Sequence, residues 1–237
     1  MSNVLLILTG ATVWTMKDGT PHPTGFWARE FVEAYEVFTA GGLTIDIATP
    51  AGRSATVDQY SYEVGFNDGD PAFVERQKAF LASLSDALES PLALESVEPG
   101  SYDIVFIVGG HGPMQDLAVH PTLGELLIAN LDSPDRFVGA VCHGPAGFLS
   151  AAREDGTWAF RGRRLTAFTN EEENGASFAG NAPWLLQDRL QLAGALFEEA
   201  DAWSPHIVVD KNLVTGQQNV SSGLAATKLL ELLQARA

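Results

Sequence analysis

The chain has a single cysteine, Cys142, and its neighbours are those of a nucleophile. It stands in Phe137-Val138-Gly139-Ala140-Val141-Cys142-His143-Gly144-Pro145, an apolar run that ends abruptly. Phe137 to Val141 reads as a short buried strand. Pro145 suits the first turn of a following helix, where its missing N–H costs nothing. Ala140 and Gly144, two before and two after the cysteine, leave room for the crowded backbone of a strand-to-helix elbow. A helix starting there aims its free N–H groups and positive dipole end near the sulfur, which favours thiolate over thiol, and His143 adds to this. The chemistry expected is attack by sulfur on an electrophilic carbon.

Such an attack needs a place for the developing negative charge. Gly109-Gly110-His111-Gly112-Pro113 directly follows the strand-like Tyr102 to Val108. Glycines leave backbone N–H groups uncovered and let the chain curl into an anion-binding nest. Beside an elbow, the N–H groups of Gly110 and His143 are the expected oxyanion donors. His111 is grouped with them on the substrate side, although a loop histidine, like His22, His120 and His206, also has an ordinary structural reading. If His143 is a base it needs an orienting group. The run Glu171-Glu172-Glu173 is one acidic cluster that offers it, though acids are also common at a helix start. No His/Cys/Asp/Glu spacing matches a structural metal site. Neither GxxxxGK[ST] nor GxGxxG occurs. No metal and no cofactor is expected.

These residues need a frame. Val4 to Thr9 reads as a buried strand. Phe26 to Ala40 reads as a helix, with Phe31, Ala34, Tyr35 and Phe38 on one face, stopped by Gly41-Gly42. Leu43 to Thr49 is a second strand, so the first 49 residues hold a β-α-β unit with a right-handed crossover. Gly52 to Asp70 has no clear period and is an excursion over the sheet ends. Helices are expected over Ala72 to Leu88, Leu123 to Leu131, Trp184 to Gln191 and Ala225 to Ala235. A short strand is expected over Leu165 to Phe168, and a hairpin joins His206 to Asp210 with Leu213 to Thr215. The alternation predicts one domain, 1–237, with a doubly wound α/β architecture: a mostly parallel sheet sandwiched by helices. Ligands of such sheets sit beyond the strand carboxyl ends, where Gly10, Gly109 and Cys142 all fall.

Thirty acids stand against fourteen Lys and Arg, a net charge of −16. Nucleic acid and anionic membranes both need clustered Lys/Arg, so neither is an expected partner. One cysteine allows no internal disulfide, and a reducing cytoplasm is the expected location. No basic residue precedes the first apolar run, so a signal peptide is not expected, and no run is long enough to span a bilayer.

Ala140-Val141-Cys142-His143-Gly144-Pro145 resembles the elbow of the DJ-1/PfpI superfamily, in its Hsp31-like, glyoxalase III branch. So do Thr24-Gly25 with Glu30 and Gly42, Gly109-Gly110-His111-Gly112, and Leu213-Val214-Thr215-Gly216-Gln217. Val220 departs from the pattern, standing where the family has proline. The resemblance implies a flavodoxin-like, class I glutamine amidotransferase-like fold. It implies that Glu30 lies against the sulfur. Glu33 and Glu36 are close in sequence and pattern alone does not exclude them, although periodicity sets Glu30 beside Ala34 and Phe38. The family register selects Glu173 as the acid behind His143, with Glu172 as its rival. The implied activity is a cofactor-independent glyoxalase that converts methylglyoxal or a related 2-oxoaldehyde to a 2-hydroxy acid, in a homodimer. Protein or nucleotide deglycation and holdase chaperoning accompany it in the family. Other branches offer a PfpI-type cysteine peptidase or amidohydrolase, an isonitrile hydratase (with Asp where this chain has Glu30), or a non-enzymatic redox-sensing stress protein. The His-x-Glu of the glutamine amidotransferases is absent, since Val208 follows His206-Ile207.

Overall fold

In the computed structural model, which describes residues 2–236, a seven-stranded sheet carries every element of the site. Strand β1 (Asn3–Ile7) leads into a small ribbon, β2 (Val13–Thr15) and β3 (Pro21–Pro23), then into α1 (Ala28–Ala40) and β4 (Thr44–Thr49). Helices α2 (Pro71–Ser83) and α3 (Ser85–Glu89) precede β5 (Leu92–Ala93) and β6 (Ile104–Ile107). Helix α4 (Pro121–Leu131) crosses to β7 (Phe137–Val141). After β8 (Arg164–Leu165), α5 (Asn170–Gly175), α6 (Leu186–Ala193) and β9 (Leu196–Phe197), the chain closes with β10 (Ile207–Asp210), β11 (Leu213–Gly216) and α7 (Ser222–Ala235). The sheet order is β10-β11-β7-β6-β1-β4-β5. Every pairing in it is parallel except β10 with β11.

Strands β6 and β7 are buried from end to end, because helices cover both faces. That is why they read as unbroken apolar runs. One face packs on α1 and α7 through Phe31, Phe38, Leu229 and Leu233. The other packs on α4 and on Phe148 and Phe160, whose rings stack at 4.2 Å. The parallel sheet thus places the ends of β1, β6 and β7 side by side, as expected for a doubly wound fold.

Four expectations change. The helix over Ala72 to Leu88 is two, because Leu84 leaves helical geometry between α2 and α3. The connector after Pro91 holds the edge strand β5. The strand expected over Leu165 to Phe168 is shorter, β8 (Arg164–Leu165), and pairs with β9 outside the main sheet, in which β11 occupies the place beside β7. Its backbone serves the elbow instead: the Phe168 N–H donates to the Cys142 carbonyl at 2.9 Å, and Thr166 N–H to the Thr215 hydroxyl at 2.8 Å. The turn after the elbow is a 3₁₀ segment, Gly144–Ser150. The ribbon of β2 and β3 carries two prolines and has no strand signature in the sequence. Among the described residues, no helix is long and apolar enough to cross a membrane.

Candidate active site

Cys142 sits at the carboxyl end of β7 with φ of 56°, a left-handed conformation that a side chain seldom adopts. Its neighbours hold it there: its N–H donates to the Gly216 carbonyl at 3.0 Å, and its own carbonyl accepts from Phe168. Such strain persists only where the surroundings over-determine it. The glycine loop explains how three elements converge on this point. A Cβ on Gly109 would lie 2.7 Å from both Cys142 Cβ and Glu30 Oε2. Gly110, at φ of +94°, would put a Cβ 2.3 Å from the Gly25 carbonyl. Only glycines let the loop after β6 pass between the elbow and the start of α1.

Glu30 lies in the first turn of α1 and is 0% exposed. The Gly109 N–H donates to its Oε2 at 2.7 Å. Its Oε1 is buried without a well-formed hydrogen bond, and the carboxyl meets the Cys142 thiol. Glu33 instead takes Arg29 Nε at 2.7 Å and the Gly223 N–H at 3.1 Å, and Glu36 is exposed. The structure therefore brings Glu30, and neither neighbour, to the sulfur. Burial pushes the Glu30 carboxyl up to about 8, against the pull of Gly109 and Cys142. Burial and the adjacent Glu30 also push the Cys142 thiol well up, with only the Gly110 N–H opposing among the larger influences. This corrects the expectation of a standing thiolate. Cys142 is 4% exposed, and the short 3₁₀ turn behind it supplies less than an α-helix would. Thiol and carboxyl interact, so their two protons leave in separate steps that belong to the pair.

On the other side of the sulfur, His143 Nδ1 is 3.3 Å from Sγ and its Nε2 is 2.7 Å from Glu173 Oε2. Burial and the neighbouring His111 push His143 down, with Glu173 opposing, so the ring is neutral at physiological pH. Burial alone would raise Glu173, but the two imidazoles hold it well below the usual carboxylate range. An ionised carboxylate accepts only, so His143 carries its proton on Nε2 and presents a free lone pair on Nδ1 to the thiol. His111 does the same from the other oxygen, with Nε2 2.9 Å from Glu173 Oε1. Its ring stacks on buried Trp14 at 4.7 Å and lies 4.2 Å from that of His143. His111 therefore spends its Nε2 proton on Glu173 while its ring lines the cavity. The three groups His111, His143 and Glu173 come together although no sequence spacing pointed to a cluster.

Glu172 is turned away. Its carboxylate accepts from the Thr169 N–H and hydroxyl, from Gln217 Nε2 at 3.0 Å and from the Trp203 N–H at 2.9 Å, closing a capping box at the start of α5. The two acids thus separate by experiment. Glu172→Ala, which orphans these donors, is expected to lower stability by about 2–4 kcal/mol in denaturant titrations. Glu173→Gln is expected to leave the fold standing and slow turnover by about 10²–10⁴-fold. A reversed ranking would assign the acid behind His143 to Glu172.

Above the sulfur is a narrow cavity of about 30 Å³. Aromatic rings wall it: Trp27, Tyr60, Phe66, Phe168, Phe178 and Trp203. The excursion after β4 brings Tyr60 and Phe66 across, where Phe66 meets Trp203 at 5.9 Å and Tyr60 meets Phe178 at 6.1 Å. Buried Asp58 also reaches the cavity, accepting from the Thr24 hydroxyl at 3.1 Å and the Tyr60 N–H at 2.9 Å. Nothing in the aperiodic sequence around Asp58 marks it. His111 had one legible signal, its place in a glycine loop at a strand end.

A family model described as the DJ-1/PfpI family matches residues 23–232. The chain is 30% identical over 214 residues, 90% of each chain, to the bovine (Bos taurus) glutamine amidotransferase-like class 1 domain-containing protein 1. It is 27% identical over 246 residues to the protein/nucleic acid deglycase HchA of Pseudomonas aeruginosa, covering 96% of this chain and 81% of the relative. Among solved structures, glyoxalase III from Candida albicans superposes with a TM-score of 0.79 at 25% identity, covering 98% of this chain and 97% of that one.

Proposed function

The chain belongs to the DJ-1/PfpI family, and from that premise we propose that it is a glutathione-independent glyoxalase acting on small 2-oxoaldehydes such as methylglyoxal. The observation that carries the reading is one buried sulfur flanked by a carboxyl on one side and a carboxylate-oriented imidazole on the other. Isomerising a 2-oxoaldehyde to a 2-hydroxy acid needs a nucleophile, a group that moves a proton between adjacent carbons, and donors for an oxyanion. Each has a counterpart here. The names of the deglycase and glyoxalase relatives support the same class of chemistry.

In this mechanism the thiol proton passes to Glu30 or to His143 Nδ1, and Sγ adds to the aldehyde carbon. The carbonyl oxygen becomes an oxyanion opposite the N–H groups of Gly110 and His143 and is protonated to a hemithioacetal. Glu30 or His143 then takes the proton from the former aldehyde carbon, giving an enediolate whose two oxygens share the remaining hydroxyl proton. Return of a proton to the adjacent carbon yields a thioester of the 2-hydroxy acid. Water hydrolyses it, releasing lactate from methylglyoxal and restoring the thiol. A site that keeps its sulfur protonated until substrate arrives protects it from oxidation and adventitious alkylation.

The test is a panel run without metal or added thiol: methylglyoxal and other 2-oxoaldehydes, glutamine, a peptide and an isonitrile. Consumption of a 2-oxoaldehyde with formation of the 2-hydroxy acid, and no ammonia release or peptide cleavage, is the expected result. Turnover confined to glutamine, peptide or isonitrile would replace the reading. The narrow, aromatic-walled cavity supports a small substrate over a peptide.

A further inference from the structure

Glu173 serves two imidazoles, and the reaction above uses one of them. His111 Nε2 faces Oε1 at 2.9 Å and His143 Nε2 faces Oε2 at 2.7 Å. One donor atom from each of the three residues lies within 4.8 Å of the others. All three side chains are buried, and both rings reach the cavity. We propose that this cluster is an inhibitory metal site: a borderline divalent cation, Zn²⁺ foremost, binds His111 Nε2, His143 Nε2 and the Glu173 carboxylate and switches the sulfur site off.

Two imidazoles and one carboxylate form a donor set that Zn²⁺ accepts while keeping an open fourth position. Both rings line the cavity, from which water would complete the shell. Imidazole donors favour Zn²⁺, Cu²⁺ or Ni²⁺ over Mg²⁺ and Ca²⁺. The rings are held before any cation arrives, His111 stacked on Trp14 at 4.7 Å and His143 against Phe168 at 4.5 Å. Among the described residues, the ionic partners of Glu173 are these two histidines and no lysine or arginine. A cation would take the place of the two N–H protons that now lie between the rings and the carboxylate.

The switch follows from the proton positions. When Nε2 of a neutral imidazole binds a metal, its one proton sits on Nδ1, so no proton is gained or lost and no redox step is involved. For His143, Nδ1 is the nitrogen 3.3 Å from Cys142 Sγ. Once protonated, it has no lone pair to receive the thiol proton. The same geometry keeps the sulfur out of the metal shell, since Sγ faces the opposite edge of the ring.

The site stands apart from the glyoxalase reading; its inhibitory effect rests on it. Zn²⁺ is titrated into dialysed protein by calorimetry, with thermal unfolding followed in parallel and excess Mg²⁺ present to mask weak surface sites. The expected result is one Zn²⁺ per chain and a raised Tm, in wild type and in Cys142→Ala alike. His111→Gln is expected to weaken binding by at least about tenfold. Co²⁺ in the wild-type protein provides a measurement independent of that variant's folding: d–d bands without a thiolate-to-cobalt charge-transfer band. Absence of saturable binding, its loss in Cys142→Ala, undiminished binding in His111→Gln, or a thiolate band would overturn the site. Zn²⁺ bound without loss of 2-oxoaldehyde turnover would overturn the switch. Binding as expected in a protein whose metal-free form turns over no 2-oxoaldehyde would leave the site standing and remove the functional reading instead.

Discussion

Cys142→Ala is expected to lower 2-oxoaldehyde turnover by at least about 10³-fold, because no other side chain at the elbow can form the carbon–sulfur bond. The protein itself should survive the change. Alanine keeps the Cβ that touches the glycine loop, tolerates the left-handed backbone no worse than cysteine, and leaves a small void where the sulfur was. It also removes one partner of a buried acidic pair. Stability within about 1–2 kcal/mol of wild type is therefore expected. Initial rates with methylglyoxal, read beside a denaturant titration, separate a lost nucleophile from a lost fold. Turnover like that of wild type would discard the mechanism outright.

Glu30→Gln is expected to combine a rate loss of about 10²–10⁴-fold with a gain in stability. Glutamine still accepts the Gly109 N–H but cannot carry a proton between sulfur and carbon. Glu33→Gln serves as the control, since Glu33 is engaged with Arg29 and Gly223 and does not reach the sulfur. Equal losses in the two variants would show that the carboxyl has been wrongly assigned. The wild-type rate should also rise with pH through an apparent value near 8, where the Glu30–Cys142 pair gives up its first proton, and Glu30→Gln should lose that limb. Of the titratable groups nearest Glu30, Glu33 disfavours its ionised form, whereas the Cys142 thiol hydrogen-bonds to the carboxylate and favours it.

The stability effect has a definite sign. In the unfolded chain Glu30 releases its proton near 4.5, whereas the folded chain keeps it until about 8. Between these values the folded state binds more protons than the unfolded one, so stability contributed by the protonated, buried carboxyl falls as pH rises. Glutamine has no such dependence. The stability difference between Glu30→Gln and wild type should therefore grow from about pH 4.5 to 8 and level off above, reaching on the order of 5 kcal/mol. Thermal unfolding across that range measures it. A difference that stays flat would mean that Glu30 is ionised in the folded protein.

Several features were legible in the sequence because short-range physics determines them. The strand before Cys142, the glycine loop after β6, the hairpin of β10 and β11 and the apolar face of α1 are all written in local composition and period. The segment from Arg53 to Pro71 was not legible, because its irregular turns are held by distant partners, such as Asn219 donating to the Phe66 carbonyl across 153 residues. The choice between Glu172 and Glu173 was likewise closed to pattern reading. Adjacent helical residues differ by about 100° in direction, and which one meets His143 depends on how α5 packs.

By itself, the sequence determined the architecture and singled out the Cys142 sulfur as the candidate nucleophile. Alternating apolar strands and amphipathic helices leave few ways to bury their faces, and a lone cysteine between small residues at a strand end has few alternatives. Only the tertiary structure decided the state of that atom. Whether a thiol is charged depends on what surrounds it in three dimensions, and here burial beside Glu30 outweighs the short turn and neutral imidazole that follow it in sequence. The sharing of Glu173 between His111 and His143 is a tertiary fact of the same kind. Three residues separated by 62 and 30 positions meet because β6 and β7 end where α5 begins.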